Sequence, residues 1–303
     1  MANKPKKQHY LAQFYLKGFC TFYNHNNVTK KKIKEKLWYY DVKRNEFRNQ
    51  NILEVAAQNY FYSWTNEKGE KDFSVENSLQ KFENQISPLI NEINEFVIAL
   101  RQRKDKTYNV TVNSNQRMWL LEFLRMMMVR VPALINTLND GFINDMKESF
   151  PEILDFKEKS LKEDLLKTAL NVGNYENKFT KIWFDREIWI LFPSSPETSF
   201  ITTDRPVVRF NKKGADGLAY DDTEVYLPLT QNCLLMVTSN ESDVSKLRFS
   251  SLNDKGLIRK HNKQQASYAT EIVIGRDNAL LESLLKNLKF KPPPIWKDGH
   301  YIL

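Results

Sequence analysis

From Ser74 onward the apolar residues Leu79, Phe82, Ile86, Leu89, Ile93, Phe96 and Leu100 recur in steps of three and four. That spacing predicts a long amphipathic helix, kinked or interrupted near Pro88. A second helix is expected to start near Ser114, to run through Trp119, Leu120, Phe123, Met126, Met127 and Leu134, and to bend or break near Pro132. The loop between them, 105–113, is short, so the two helices should form an antiparallel hairpin. A further helix or two is expected over 141–170, with Pro151 at a first helical turn.

The flanking regions read differently. His9 to Phe19 has an aromatic face of Tyr10, Phe14 and Phe19 with Leu16, and Gly18 near its end, which predicts a short helix. Lys36–Val42 and Glu46–Arg48 are β-type runs around the polar turn Lys43-Arg44-Asn45, a hairpin pattern, and Asn59–Trp64 is another strand candidate. In the last third, 181–184, 187–192, 199–202, 207–210, 224–227 and 233–237 are short β-type runs that predict a largely antiparallel sheet. Residues 252–274 and 278–288 return to helical composition, and the prolines from Pro292 end regular structure. The expected class is α+β: a helical middle with a long antiparallel helix hairpin packed on a mostly antiparallel sheet. One domain over 1–290 is expected, with segments 8–64, 74–170, 180–240 and 252–288, and a tail over 291–303.

Composition narrows this picture. With 303 residues, 41% of them apolar and 13% aromatic, the chain can bury a core without disulfides or a structural metal. Its two cysteines, Cys20 and Cys233, are far apart in apolar surroundings, which suits a reducing cytoplasm. No apolar run of signal-peptide length follows the N-terminal lysines, and the most apolar stretch, Met118 to Ile135, contains Glu122, Arg125 and Arg130, so no membrane partner is expected. The net charge of +8 is concentrated at one end: residues 1–50 hold 12 basic and 3 acidic side chains, and the other 253 residues together carry −1. Its densest part includes Lys30, Lys31, Lys32 and Lys34 near Tyr23, Trp38 and Tyr39. Clustered lysines beside aromatic rings can hold a polyanion such as nucleic acid, although such a run is more often a solvated surface.

Several polar residues fall on apolar faces. Glu76, Glu83, Ile90 and Val97 lie on one line of the first helix, so both carboxylates should be half buried. Arg130 comes seven residues after Phe123 on an apolar face and needs a carboxylate. Counting outward from the loop, Arg130 falls within about one turn of Glu83 in an antiparallel pair, so the two are expected to meet. Fixing helix register is the more economical role for such a pair, a catalytic role the less economical one. Asp204, between Thr203 and Arg205-Pro206, reads first as a turn residue and second as a base or cation anchor. His9 precedes its aromatic face directly, which makes it a core residue or a catalytic imidazole.

No phosphate-binding Gly loop, dinucleotide fingerprint, Gly-x-Ser-x-Gly elbow or His-Glu-x-x-His helix is present, and four histidines with two remote cysteines make no zinc spacing. The run His261 to Tyr268 is similar to the His-x-Lys-x4-Asp pattern of phospholipase D-type enzymes, but Tyr268 stands where the Asp belongs. No cofactor is evident. A divalent cation held by Glu76, Glu83 or Asp204 remains open, because carboxylate sites need no tight spacing.

Taken in order, His9-Tyr10-Leu11-Ala12-Gln13-Phe14-Tyr15-Leu16-Lys17-Gly18-Phe19, Leu37–Asp41, Ala56–Tyr62, Glu76 with Phe82-Glu83, Arg130-Val131-Pro132, Ile201–Val207, Tyr226–Thr230 and Asn262–Tyr268 resemble the family catalogued as domain of unknown function 4238. The resemblance spans roughly residues 8–275. It implies His9, Glu83, Arg130, Asp204 and Asn262 as candidate site residues and implies no activity. Arg205 departs from the family pattern, where a smaller polar residue is expected, and would give the turn an extra ion pair that occupies Asp204 structurally.

Two functions follow as expectations. One is a hydrolase of phosphodiesters or nucleotides, with His9 as general base or acid, Glu83 and Asp204 holding a divalent ion or water, Arg130 stabilising anionic charge and Asn262 orienting substrate. The other is a non-catalytic module that binds nucleic acid or protein through its basic end.

Overall fold

The computed structural model describes residues 7–20, 35–65, 69–103, 106–137, 183–211, 222–241, 243–293, 296–297 and 300–301. The expected helices of 141–170 and the lysines at 30, 31, 32 and 34 lie outside the described residues.

The N-terminal segment is half strand and half helix. Lys7–His9 forms β1, and α1 begins only at Gln13 and ends at Lys17, so His9 belongs to an extended strand and not to the expected helix. The correction has a plain cause: β1 pairs with β4 (Ala57–Asn59), and that ladder takes the backbone of His9 before a helix can. Gly18 closes α1 with an ordinary helical φ of −62°. Glycine is needed there for proximity, since a Cβ would lie 2.9 Å from Thr230 Cγ2 and the Gly18 carbonyl accepts from Gln231 N at 2.9 Å.

The hairpin expected around Lys43–Asn45 is present as β2 (Lys36–Asp41) and β3 (Glu46–Asn51), followed by a 3₁₀ turn over Ile52–Glu54. The expected strand over 59–64 is not. β4 stops at Asn59 because Tyr60 turns into the left-handed region at φ 54°, and only the short β5 (Trp64–Thr65) follows, paired with β6 (Lys71–Asp72).

Helix α2 (Ser74–Arg103) buries Val75, Leu79, Phe82, Ile86, Leu89, Ile90, Ile93, Val97 and Leu100, the predicted face. It runs unbroken through Pro88, which stands on the exposed side, where water can serve the carbonyl its ring leaves without a partner. The segment expected as a loop contains β7 (Thr107–Thr111), an edge strand paired with a later strand, so the link between the helices is not a bare hairpin turn. Helix α3 (Ser114–Val129) starts at a capping box between Asn113 and Gln116 and ends before α4 (Pro132–Thr137), the break predicted at Pro132. α3 is buried nearly all round, so its charges are met inside: Arg125 pairs with Glu122 at 2.6 Å, and Arg117 donates to the carbonyls of Phe184, Arg186 and Lys246.

Trp183 and Phe184, expected in a strand, are helical. A six-stranded sheet follows, with β8 (Arg186–Pro193), β10 (Val208–Asn211), β11 (Thr223–Thr230), β12 (Cys233–Glu241) and β13 (Lys246–Leu252), ordered β10-β11-β12-β8-β13-β7. It is antiparallel except for β8–β13. One face, with Ile188, Ile190, Val225, Leu227, Leu235, Val237, Leu247 and Phe249, joins α1, α2 and α3 in the main core. The architecture is α+β.

A second sheet, β3-β2-β14-β9, joins the hairpin to β9 (Thr202–Thr203) and β14 (Ile272–Gly275). β14 falls in a stretch read as helical. Helix α5 (Lys255–Ser267), capped by Asp254, ends early, and the alternation Ile272-Val273-Ile274 turns its side chains to opposite faces. Ile272 and Ile274 enter the main core, whereas Val273 packs with Ala266, Leu281 and Leu284 under α5 and α6 (Asn278–Leu285). Past Lys291-Pro292-Pro293, β15 (Trp296–Lys297) and β16 (His300–Tyr301) pair in a region expected as a loose tail.

Helix α5 docks on the six-stranded sheet through Ile258, Phe200 and Leu234. There His261 lies 5.8 Å from the Phe200 ring and 5.4 Å from Tyr226, with Nε2 buried and without a partner among the described residues. This imidazole is packing, in keeping with the missing Asp of the phospholipase-type pattern. Burial pushes His261 down to about 4, below the ordinary value near 6.5. Its neutral form stabilises the fold fully above about pH 6.5, and this contribution is lost as pH falls from there toward 4. Urea melts across that window should show less acid destabilisation for His261→Leu than for the wild type; equal slopes would refute the assignment.

Candidate functional site

Strand β1 carries His9 to a place where three other segments converge. The Arg130 guanidinium, at the C-terminal end of α3, donates through Nη1 to Glu83 Oε1 at 2.7 Å, through Nη2 to the His9 carbonyl at 2.7 Å and through Nε to Tyr62 Oη at 3.3 Å. The Tyr62 hydroxyl in turn donates to the Arg130 carbonyl at 2.9 Å. The pairing of Glu83 with Arg130 is as expected from their helical positions. Arg130 is buried while Glu83 keeps 24% of its side chain exposed, so the pair lies at the edge of the core.

Around this pair the titration of each neighbour is displaced. Burial alone would lower the Arg130 pKa, but Tyr62 and Glu83 hold it above its ordinary value. Burial pushes the Tyr62 phenol up to about 12. Burial also lowers His9; the Ile52 carbonyl opposes this, Arg130 and Lys7 add to it and Glu83 opposes it, so the ring is neutral at pH 7. Glu76 is raised, again by burial, with Arg130 opposing and Glu83 adding. Both carboxylates of the predicted line are half buried.

The His9 ring is partly exposed. Its Nε2 lies 3.2 Å from the Ile52 carbonyl and its Nδ1 lies 3.3 Å from Gln13 Nε2. Gln8, fully buried beside it, ties β1 to the turn after β4 by donating to Ser63 Oγ and accepting from Tyr62 N, both at 2.6 Å.

Asp204 and Asn262 belong to a different neighbourhood. The Asp204 carboxylate accepts from the backbone N–H of Thr270, Glu271 and Ile272 and from the Thr270 hydroxyl. Burial raises its pKa and these donors oppose the rise. Asp204 is thus the anchor that starts β14. The ion pair expected at Arg205 is absent among the described residues: this guanidinium donates to the Pro293 carbonyl at 2.9 Å. Asn262 is buried and spent on backbone as well, accepting from Ile201 N at 3.3 Å and donating to the Ser199 carbonyl at 2.9 Å. The two neighbourhoods touch through Tyr10, the residue after His9, whose hydroxyl donates to Glu271 Oε2 at 3.1 Å.

Three of the five candidates, His9, Glu83 and Arg130, therefore come together, and two do not. No group of three or more His, Cys, Asp or Glu side chains suited to a metal ion occurs among the described residues. Sequence reasoning passed over Tyr62, Gln8 and Gln13; Tyr62 and Gln13 lie inside segments carrying the family resemblance, and Gln8 just before the first of them.

The fold is α+β, and β1 sets the His9 carbonyl on an Arg130–Glu83 pair at the edge of the core. The sequence model described as "Protein of unknown function (DUF4238)" matches residues 7–279, and the chain belongs to that family. No curated protein and no solved structure matches it. No helix among the described residues is long and apolar enough to cross a membrane.

Because the guanidinium stays charged, losing its partners leaves an uncompensated buried charge. Glu83→Ala should cost about 2 to 4 kcal/mol in chemical denaturation, and Arg130→Met together with Glu83→Ala should recover part of that loss. Strict additivity in this double-mutant cycle would show that the pair is not coupled.

Proposed function

We propose that the protein is a hydrolase of phosphodiesters or nucleotides in which His9 is the general base. The observation that supports this most is the His9 imidazole itself: partly exposed, neutral at pH 7, held at both ring nitrogens and fixed through its own backbone to Arg130. In the reaction, His9 takes a proton from water as the water oxygen bonds to phosphorus. The bond from phosphorus to the leaving oxygen breaks, and the same ring returns the proton to that oxygen. Arg130 is buried, so it acts as a fixed positive charge behind the site that favours an anionic substrate. Asp204 and Asn262 have no chemical part in this scheme, because their polar atoms serve the backbone. Glu83, which the sequence offered for a divalent cation, is engaged by Arg130, so no step of this scheme is routed through a metal ion.

The basic excess of residues 1–50 favours a second reading, a cytoplasmic module that holds nucleic acid through Lys30, Lys31, Lys32 and Lys34 without cleaving it.

One assay separates the two. The full chain is incubated with bis(p-nitrophenyl) phosphate, single-stranded RNA and DNA, and nucleoside triphosphates, in Mg²⁺, in Mn²⁺ and in EDTA. The hydrolase reading predicts turnover of at least one probe and a drop in kcat/KM of about 10²- to 10⁴-fold in His9→Ala. Salt-sensitive retention of nucleic acid with no turnover would establish the binding reading, and turnover indifferent to His9→Ala would remove His9 from the chemistry.

A further inference from the structure

The two contacts of the His9 ring constrain each other. A carbonyl oxygen can only accept, so the nitrogen facing the Ile52 carbonyl, Nε2, carries the proton. In the neutral ring Nδ1 is then a lone pair, and the Gln13 amide beside it must present its NH₂ group. We propose that Gln13 is a positioning residue for His9: it caps the Nδ1 lone pair while the ring is neutral and turns its amide over to accept from Nδ1–H once the ring is protonated.

Both halves follow from placement. Gln13 is the first residue of α1, four residues beyond His9, and its side chain is exposed, so rotation about its last side-chain bond meets no packing. Glutamine is one of the few side chains that offers a donor and an acceptor on the same pivot. The charged groups that face the ring are Arg130 and Lys7, which disfavour the imidazolium, and Glu83, which favours it. The Ile52 carbonyl serves Nε2–H in both states, so the proton gained and lost is the one at Nδ1. Gln13 then gives Nδ1 a partner in either state and gives way to the attacking water. The catalytic consequence rests on His9 being the base; the ring geometry does not.

The test reads the ring directly in the full chain labelled with ¹⁵N-histidine, the His9 signals being identified by their loss in His9→Gln. The wild type should show a single neutral tautomer protonated at Nε2. Gln13→Glu, whose carboxylate can only accept, should raise the His9 midpoint by a unit or more, and Gln13→Leu, which offers nothing, should lower it while leaving the tautomer unchanged. A neutral ring protonated at Nδ1, a mixture of tautomers, or a midpoint indifferent to both substitutions would overturn the proposal. None of these outcomes depends on turnover, so a missing activity would count against the hydrolase reading alone.

Discussion

A guanidinium that cannot give up its charge sits in the core of this protein, and its surroundings are arranged to meet it. Arg130 draws one acceptor from α2, one from the backbone of β1 and one from the turn after β4, so segments far apart in sequence share one charged hub. Replacing any one acceptor with a hydrocarbon would leave an N–H buried without a partner. Arg117 is met in the same way by three carbonyls, and Arg125 by a carboxylate one turn away. What separates Arg130 from these is its position at the edge, where Glu83 reaches solvent and the backbone of His9 is one of its acceptors.

That position links architecture to chemistry. The His9 carbonyl is one of the Arg130 acceptors, so the backbone that carries the ring is tied to the hub, and burial of the ring itself favours its neutral form. Preorganisation of this kind is what a general base requires.

Much of the frame was legible in the sequence. The spacing of Leu79, Phe82, Ile86 and Ile93 gave α2, the hairpin around Lys43–Asn45 formed where its turn residues stand, and helical arithmetic joined Glu83 to Arg130. Misreadings arose where tertiary pairing outweighed local preference. His9 was drawn into β1 by β4, residues 107–111 found an edge of the large sheet, and β14 was recruited between β2 and β9. Asp204 was read first as a turn residue and second as a base or cation anchor, and Asn262 became a candidate only through the family resemblance. Their partners are backbone groups of irregular segments, and the demand of such groups for hydrogen bonds leaves no pattern in side-chain order. Gln13 and Tyr62 were missed for the complementary reason: each matters through polar atoms at the end of a side chain that the fold alone puts in place.

Arg130 pins the N-terminal strand and the turn after β4 to the helices. Hydrogen exchange in Arg130→Met measures this most directly. The amides of Tyr10 and Tyr62, which donate to Ala56 and Gln8, should gain exchange rate about tenfold or more over those of the sheet strands β8 and β12. Acceleration by one common factor in both regions would contradict it.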